Sequence, residues 1–440
     1  MTQISLSKQD QLKGMIIVGF LFFIFGFVTW VNGSLIAYLK IACELTNTQA
    51  YLVTTAFFIA YTVMAIPSSA VLRLTGFKKG MSLGLLIMSL GALLFIPAAQ
   101  ARNYSIFLFG LFVIGTGLTI LQTAANPYVS VIGPIESAAS RISIMGIFNK
   151  VGGKVAVFIF GFVLLKNSDS LVEELKTMDL ATKTIKLNEL ATRVINPYLI
   201  LAALLFLAAI VIWFSALPNI DEDLEKPAEF STQDRASIFQ YPYVLLGAIA
   251  IFMYVGVEVV AGDTIALYGK AQGISLDSSK YYPIITIAFM LIGYVVGILC
   301  IPKLISQQNA LFVSGILGLL ISVGILVMPG QISVWCVGIL GLANAVMWPA
   351  IFPLGIEGLG KFTKLGSALL IMGISGGAIL PLVYGKLADT SSISDALEVA
   401  SKAQQAYWIL IPAYLFILWY GFKGHTLGKS SGKNFGTVLK

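Results

Sequence analysis

Twelve times along this chain a run of about 20 mostly apolar residues recurs, and that recurrence decides what the chain can fold into. The runs lie at roughly 15–38, 51–73, 80–99, 105–128, 142–165, 197–216, 243–268, 282–301, 310–329, 332–355, 365–386 and 405–422. Each is long enough to cross a bilayer. Lipid offers nothing to a backbone N–H or C=O, so each run must close its hydrogen bonds internally as an α-helix. Charged residues make up only 11% of the 440, where a soluble protein carries about 25%. A soluble globular domain is therefore excluded. The 42 glycines and the many aromatics suit helices packed closely in lipid. The polar start, MTQISLSKQDQLKGM, leads straight into an apolar run too long for a signal-peptide core, which reads as a cytoplasmic lead-in. The expected fold is an all-α membrane protein of 12 transmembrane helices in two six-helix bundles.

An even number of spans puts both termini on one side. Lys8, Lys13, Arg73, Lys78, Lys79, Lys303, Lys361, Lys364, Lys423, Lys429, Lys433 and Lys440 all fall on that side. The short loops opposite are poor in Lys and Arg, which places the termini in the cytoplasm. Residues 166–193 form a longer loop on the far side, where the rule is weaker. Between the sixth and seventh runs stands PNIDEDLEKPAEFSTQDRASIFQYPY. It divides the chain into a bundle at 1–216, a cytoplasmic linker at 217–242, and a bundle with a short tail at 243–440. Two membrane halves joined this way can rock about a central site. The formal charge of +7 follows from the loop lysines and does not call for a nucleic-acid partner.

Chemistry is scarce elsewhere. Cys43, Cys300 and Cys336 are scattered singly, without metal-ligand spacing, and His425 is the one histidine. That excludes a histidine-based triad and a multi-histidine metal site. A polytopic membrane enzyme would need clustered acids, histidines or metal ligands at one membrane face, so the chain is expected not to be an enzyme.

Polar residues inside the spans carry the rest, because each is expensive in lipid and marks a site by default. Gln122 and Asn126 sit four apart, on one helix face, just before Pro127, which is expected to bend or end the span. Two amides on one face suit the hydroxyls of a sugar; interhelical bonding is the structural alternative. Glu136 and Arg141, in the loop that follows, read as a gating or structural salt bridge. Next come Asn149, Lys150 and Lys154; Lys150 is expected to snorkel to the interface, and Lys154 either snorkels or faces the interior. Asn32, followed by Gly33, is either a ligand or a helix break.

Span seven holds Glu258 near its centre and Asp263 nearer its far end. They lie about 140° apart on a helix and need not share a site. Gly262 is expected to unwind the helix beside Asp263, exposing carbonyls to a cation such as sodium. An ion pair with a basic residue such as Lys154 is the bland alternative for either acid. Asn344 and Trp348 are also four apart; the ring can stack on a pyranose face and the amide can bond its hydroxyls.

Three stretches now carry a resemblance. LQTAANPYVSVIGP, FFIFGFVTWVNGSLIAYLK and WPAIFPLGIEGLG resemble the fucose–proton symporter family of the major facilitator superfamily, along nearly the whole chain. The turn RLTGFKKG is similar to that superfamily's loop motif, and YVGVEV with WVNG looks most like the glucose/galactose and N-acetylglucosamine permeases of Gram-negative bacteria. The departures are informative. Where fucose symporters carry an Asp in span one and a Glu in span four, this chain has Gly33 and Gln122. Glucose-type members also have Gln at the second position, which makes Gln122 a sugar ligand by resemblance. Asn149 and Trp348 fall where the resemblance implies cavity-lining residues.

The resemblance implies a monomeric importer in the bacterial inner membrane, with no cofactor, working by cation-coupled symport and alternating access. Its substrate would be a hexose such as glucose or galactose, or N-acetylglucosamine. The expected substrate residues are Asn32, Gln122, Asn126, Asn149, Glu258, Asn344 and Trp348. Asp263 and Glu258 remain to couple either sodium or a proton. Alternatives in the same class are a passive sugar uniporter, which the missing family carboxylates allow, and a fucose transporter. An efflux pump for lipophilic cations fits the amide-rich spans less well.

Overall fold

The computed structural model describes residues 8–131, 138–215, 217, 237–301, 304–359, 362–389 and 395–429. Among them are twelve helices long and apolar enough to cross a membrane, one over each apolar run. Spans 1 to 6 are Gln11–Ala42, Asn47–Ser68, Leu74–Gln100, Tyr104–Asn126, Arg141–Thr177 and Leu180–Phe214. Spans 7 to 12 are Pro242–Asp263, Leu276–Cys300, Gln307–Val327, Gly330–Ile356, Leu365–Leu387 and Ala396–Phe422. The chain is an all-α, multi-pass membrane protein. Because the spans alternate, the first and last helix ends share one side, here called the terminal end.

Packing sorts the spans into two sets of six. Span 1 lies along span 5, while spans 2 and 3 pack against spans 4 and 6. In the second set span 7 lies along span 11, span 8 along span 10, and span 9 along spans 10 and 12. Small residues make the closest of these approaches possible. A Cβ on Gly26 would lie 1.6 Å from the Asn149 carbonyl oxygen, and one on Gly152 2.1 Å from that of Phe23. Spans 1 and 5 therefore touch backbone to backbone. That contact fixes which face of span 5 turns inward.

The helix breaks fall elsewhere than the sequence suggests. A continuous helix, Tyr104–Val131, runs through Pro127. A proline removes its own N–H and crowds the carbonyl four residues back, and a surrounding bundle can carry a helix past both. Nor does span 7 unwind at Gly262: its helix, Pro242–Asp263, is intact, and the chain bends only at Thr264, whose N–H still reaches the Val260 carbonyl. Gly262 serves packing, since a Cβ there would lie 2.6 Å from Trp30 Cζ3. Span 10 breaks centrally, into Gly330–Asn344 and Met347–Ile356, and span 11 tightens to a 3-10 turn at Gly373–Ser375. Spans 2 and 3 run on through a sharp bend at Gly76, whose φ of +71° and ψ of 171° belong to glycine territory.

The loop at 166–193 is not irregular. It forms two short helices, Ser168–Thr177 and Leu180–Thr192, with Leu171, Leu187 and Leu190 turned inward. Asp179 caps the second by accepting from the Ala181 and Thr182 amides at 3.0 and 3.1 Å.

Hydrogen bonds between the two sets gather at the end opposite the termini. Asn47 Nδ2 donates to the Ala388 carbonyl at 2.8 Å, and Thr55 Oγ1 to that of Ala378 at 2.8 Å. Lys280 Nζ donates to the Leu165 carbonyl at 2.7 Å. The Ser168 amide donates to Asp277 at 3.3 Å, while the Asp277 amide donates to Asp169 at 2.9 Å. Each of those two helix starts is thus capped by an acid of the other bundle.

Candidate substrate cavity

Between the two bundles lies a cavity with about 850 Å³ of non-protein space, its open mouth included. Span 4 presents Gln122 and Asn126 to it from one face, as their spacing predicts. Span 5 adds Asn149 and Lys150, and span 7 adds Glu258. The break in span 10 aims Trp348 into the cavity, stacked on Phe352 with ring centroids 5.5 Å apart and planes 22° apart. Aromatic residues complete the wall: Phe22, Phe25 and Trp30 from span 1, Phe58 and Tyr61 from span 2, Tyr254 from span 7 and Tyr294 from span 8. Apolar ring faces with a few amides and one ion pair form a surface for a small, uncharged, hydroxyl-rich ligand.

The ion pair joins the bundles. Lys150 Nζ stands 2.5 Å from Glu258 Oε1, with both side chains largely buried. Tyr254, one turn before Glu258, donates its hydroxyl to Oε2. The ammonium also lies 5.0 Å from the centre of the Trp30 ring, a cation–π contact. Trp30 itself is wedged between glycines, since added Cβ atoms on Gly153 and Gly262 would meet it at 2.5 and 2.6 Å. Lys150 therefore does not snorkel. It lies about 14 Å along the helix from Arg141, too deep for the interface, and the span 1 contact turns it inward. Lys154, one turn on, is exposed on the outer face and is not the partner of Glu258.

Three of the expected site residues lie off the cavity. Asn344 is fully buried and its Oδ1 accepts from the Tyr414 hydroxyl at 2.8 Å. The break at 345–346 separates it from Trp348, so the two do not share a helix face. Asn32 is 1% exposed, and neither its Oδ1 nor its Nδ2 has a partner. Asp263 is 5% exposed with Oδ2 unpartnered, and packs where a Cβ on Gly33 would lie 3.2 Å from its Oδ1. Asp263 thus lies against Gly33 of span 1, next to Gly262, on which Trp30 packs. Among the described residues no three of His, Cys, Asp and Glu stand together as a metal cluster.

Arg141 donates from Nε to the Val129 carbonyl at 2.9 Å, near the end of the helix that carries span 4. Glu136, expected as its partner, lies outside the described residues. His425 is buried beyond span 12, its Nδ1 3.0 Å from the Tyr420 carbonyl, and burial holds its pKa below the usual imidazole value. It is remote from the cavity lining.

A family model described as Major Facilitator Superfamily matches residues 18–381. The chain belongs to the Major Facilitator Superfamily. Members of this superfamily are transport proteins rather than enzymes. The chain is 35% identical to the "Glucose/galactose transporter" of Brucella abortus biovar 1 (strain 9-941), over 92% of each chain. It is 29% identical to the "L-fucose-proton symporter" of Escherichia coli (strain K12), over 91% of this chain and 90% of that one. A crystal structure of the E. coli fucose:proton symporter is similar with a TM-score of 0.68 and 25% identity, over 93% of this chain and 99% of that one. The superfamily's two-bundle architecture gives the cavity its location, between halves that share few covalent constraints.

Several cavity residues escaped the sequence reading. Tyr254 stands four before Glu258 and so on its face, a signal that was present. Trp30 and Tyr61 looked like ordinary span aromatics. The role of Lys150 depended on the rotation of span 5, which only the packing against span 1 sets.

Proposed function

We propose that the chain is a proton-coupled symporter for a neutral monosaccharide of the fucose/hexose type. The observation that carries the reading is the cavity at the bundle interface, walled by Gln122, Asn126, Asn149 and Trp348 and adjoining the buried Asp263 region. Amides and a ring face meet the two surfaces of a pyranose, its hydroxyl rim and its C–H face. Kinship with glucose/galactose transporters and L-fucose–proton symporters supports this class and brings L-fucose forward as a substrate beside glucose and galactose. None of that kinship supports N-acetylglucosamine. It also favours a coupled carrier over a uniporter.

The proton is favoured over sodium on structural grounds. A sodium site needs several oxygens, and the helix is not unwound at Gly262: the Val260 carbonyl still accepts from the Thr264 amide. A lone carboxyl can instead hold a proton. We take residues 1–216 and 243–440 as the two units that rock about the cavity, with Arg141 as a support near the gate. The lysine-rich terminal end would face the cytoplasm of a bacterial inner membrane, so the end at which the two sets are hydrogen-bonded would face outward.

Asp263→Asn separates coupling from binding. In proteoliposomes the variant is expected to keep sugar exchange and lose uphill accumulation under a pH gradient. Unchanged accumulation would remove Asp263 from the coupling role.

A further inference from the structure

The two acids of span 7 stand in opposite circumstances. Both oxygens of Glu258 have donors: Lys150 Nζ at 2.5 Å on Oε1 and the Tyr254 hydroxyl on Oε2. Its charge is cancelled by a residue of the other bundle. Asp263 has no such partner; its Oδ2 is buried with no donor. A buried carboxyl without a counter-charge must take up a proton or a cation to become neutral, whereas a paired one need not. The two sites are about 7.5 Å apart along the helix and separated by the Trp30 wedge.

We propose that Lys150 and Glu258 form a resident, charge-neutral pair that binds the sugar from both bundles at once, and that Asp263 alone carries the coupling proton. This rests on the sugar–proton symport reading above. An ammonium has three N–H donors, of which Glu258 takes one, and a carboxylate has about four acceptor positions. The pair can therefore give one hydrogen bond and accept another, which suits two neighbouring hydroxyls of a pyranose. Lys150 belongs to span 5 and Glu258 to span 7, so a sugar held by both couples the two bundles as they rock. Lys150 is thereby a substrate-positioning residue. The pair returns with the protein each cycle and transfers no net charge. One proton bound at Asp263 on the outer side and released on the inner side balances the cycle, with a single proton moved per sugar.

The test is proteoliposome transport by wild type, Lys150→Met, Glu258→Gln and the double variant, alongside the proton-to-sugar stoichiometry of the wild type at zero net flux. Each single variant leaves one buried charge unpaired and is expected to lose uptake. The double variant is expected to bind sugar about tenfold more weakly or worse, having lost charged hydrogen bonds, yet still to accumulate it when a pH gradient is imposed. Wild type should move a single proton per sugar. A double variant that exchanges sugar but only equilibrates it would overturn the assignment, as would two protons per sugar or single variants as active as wild type. If the double variant fails to fold, Asp263→Asn decides: it should keep exchange and lose uphill accumulation, and accumulation retained by it would overturn the assignment. Failure of wild type to take up any monosaccharide would strike the symport reading itself, and so is distinguishable from failure of this one.

Discussion

At the scale of residues, the account rests on polar groups that have a reason to be inside a membrane. Gln122 and Asn149 line the cavity, and each would lose a hydrogen bond to the sugar when truncated to Ala. A buried hydroxyl left unpaired costs about 1–3 kcal/mol, roughly a 5- to 150-fold rise in KM, with little change in expression. Trp348→Ala should raise KM comparably, whereas Trp348→Phe, which keeps a ring face, should be milder; transport kinetics would tell the two apart. The spacing of Gln122 and Asn126 made that face legible in advance. Lys150 was not legible, because neither its depth nor its direction follows from a single helix. Asn344 was misleading for a related reason: four-residue spacing implies one face only while the helix is continuous, and here it breaks at 345–346.

At the scale of elements, the twelve spans were readable because the bilayer dictates both their length and their helicity. Their bends were not. Pro127 sits in an unbroken helix and Gly262 packs against Trp30, so neither residue type revealed its role by identity alone. Backbone contact between spans 1 and 5 now gives a direct test of the packing. Gly26→Ala places a methyl 1.6 Å from the Asn149 carbonyl oxygen, and overpacking of this kind costs about 1–3 kcal/mol or more. Gly324→Ala would meet only Cys336 Sγ, at 3.5 Å, and should be tolerated. Thermal unfolding in detergent should show a clearly lowered midpoint for the first variant and little change for the second. Equal midpoints would contradict the packing described.

At the scale of the whole molecule, two bundles meet at a central cavity and are latched at one end. Asp277 and Asp169 cap each other's helices across the bundle boundary, and Lys280 reinforces the contact through the Leu165 carbonyl. These bonds must part for the bundles to separate at that end. Asp277→Ala should therefore favour opening there, and a cysteine placed at the buried Ala388 in the same region, in a background without the native cysteines, should react faster with a membrane-impermeant maleimide. An unchanged rate would mean that the latch does not hold the bundles. The central claim, that a proton gradient drives a fucose- or hexose-type sugar through this cavity, has a more direct test. Proteoliposomes of the purified protein would be given labelled D-glucose, D-galactose and L-fucose under an imposed pH gradient, with and without a protonophore. The account predicts accumulation of at least one of these sugars above equilibrium, abolished by the protonophore. Equilibration without accumulation, dependence on sodium alone, or no uptake of any of the three would contradict it.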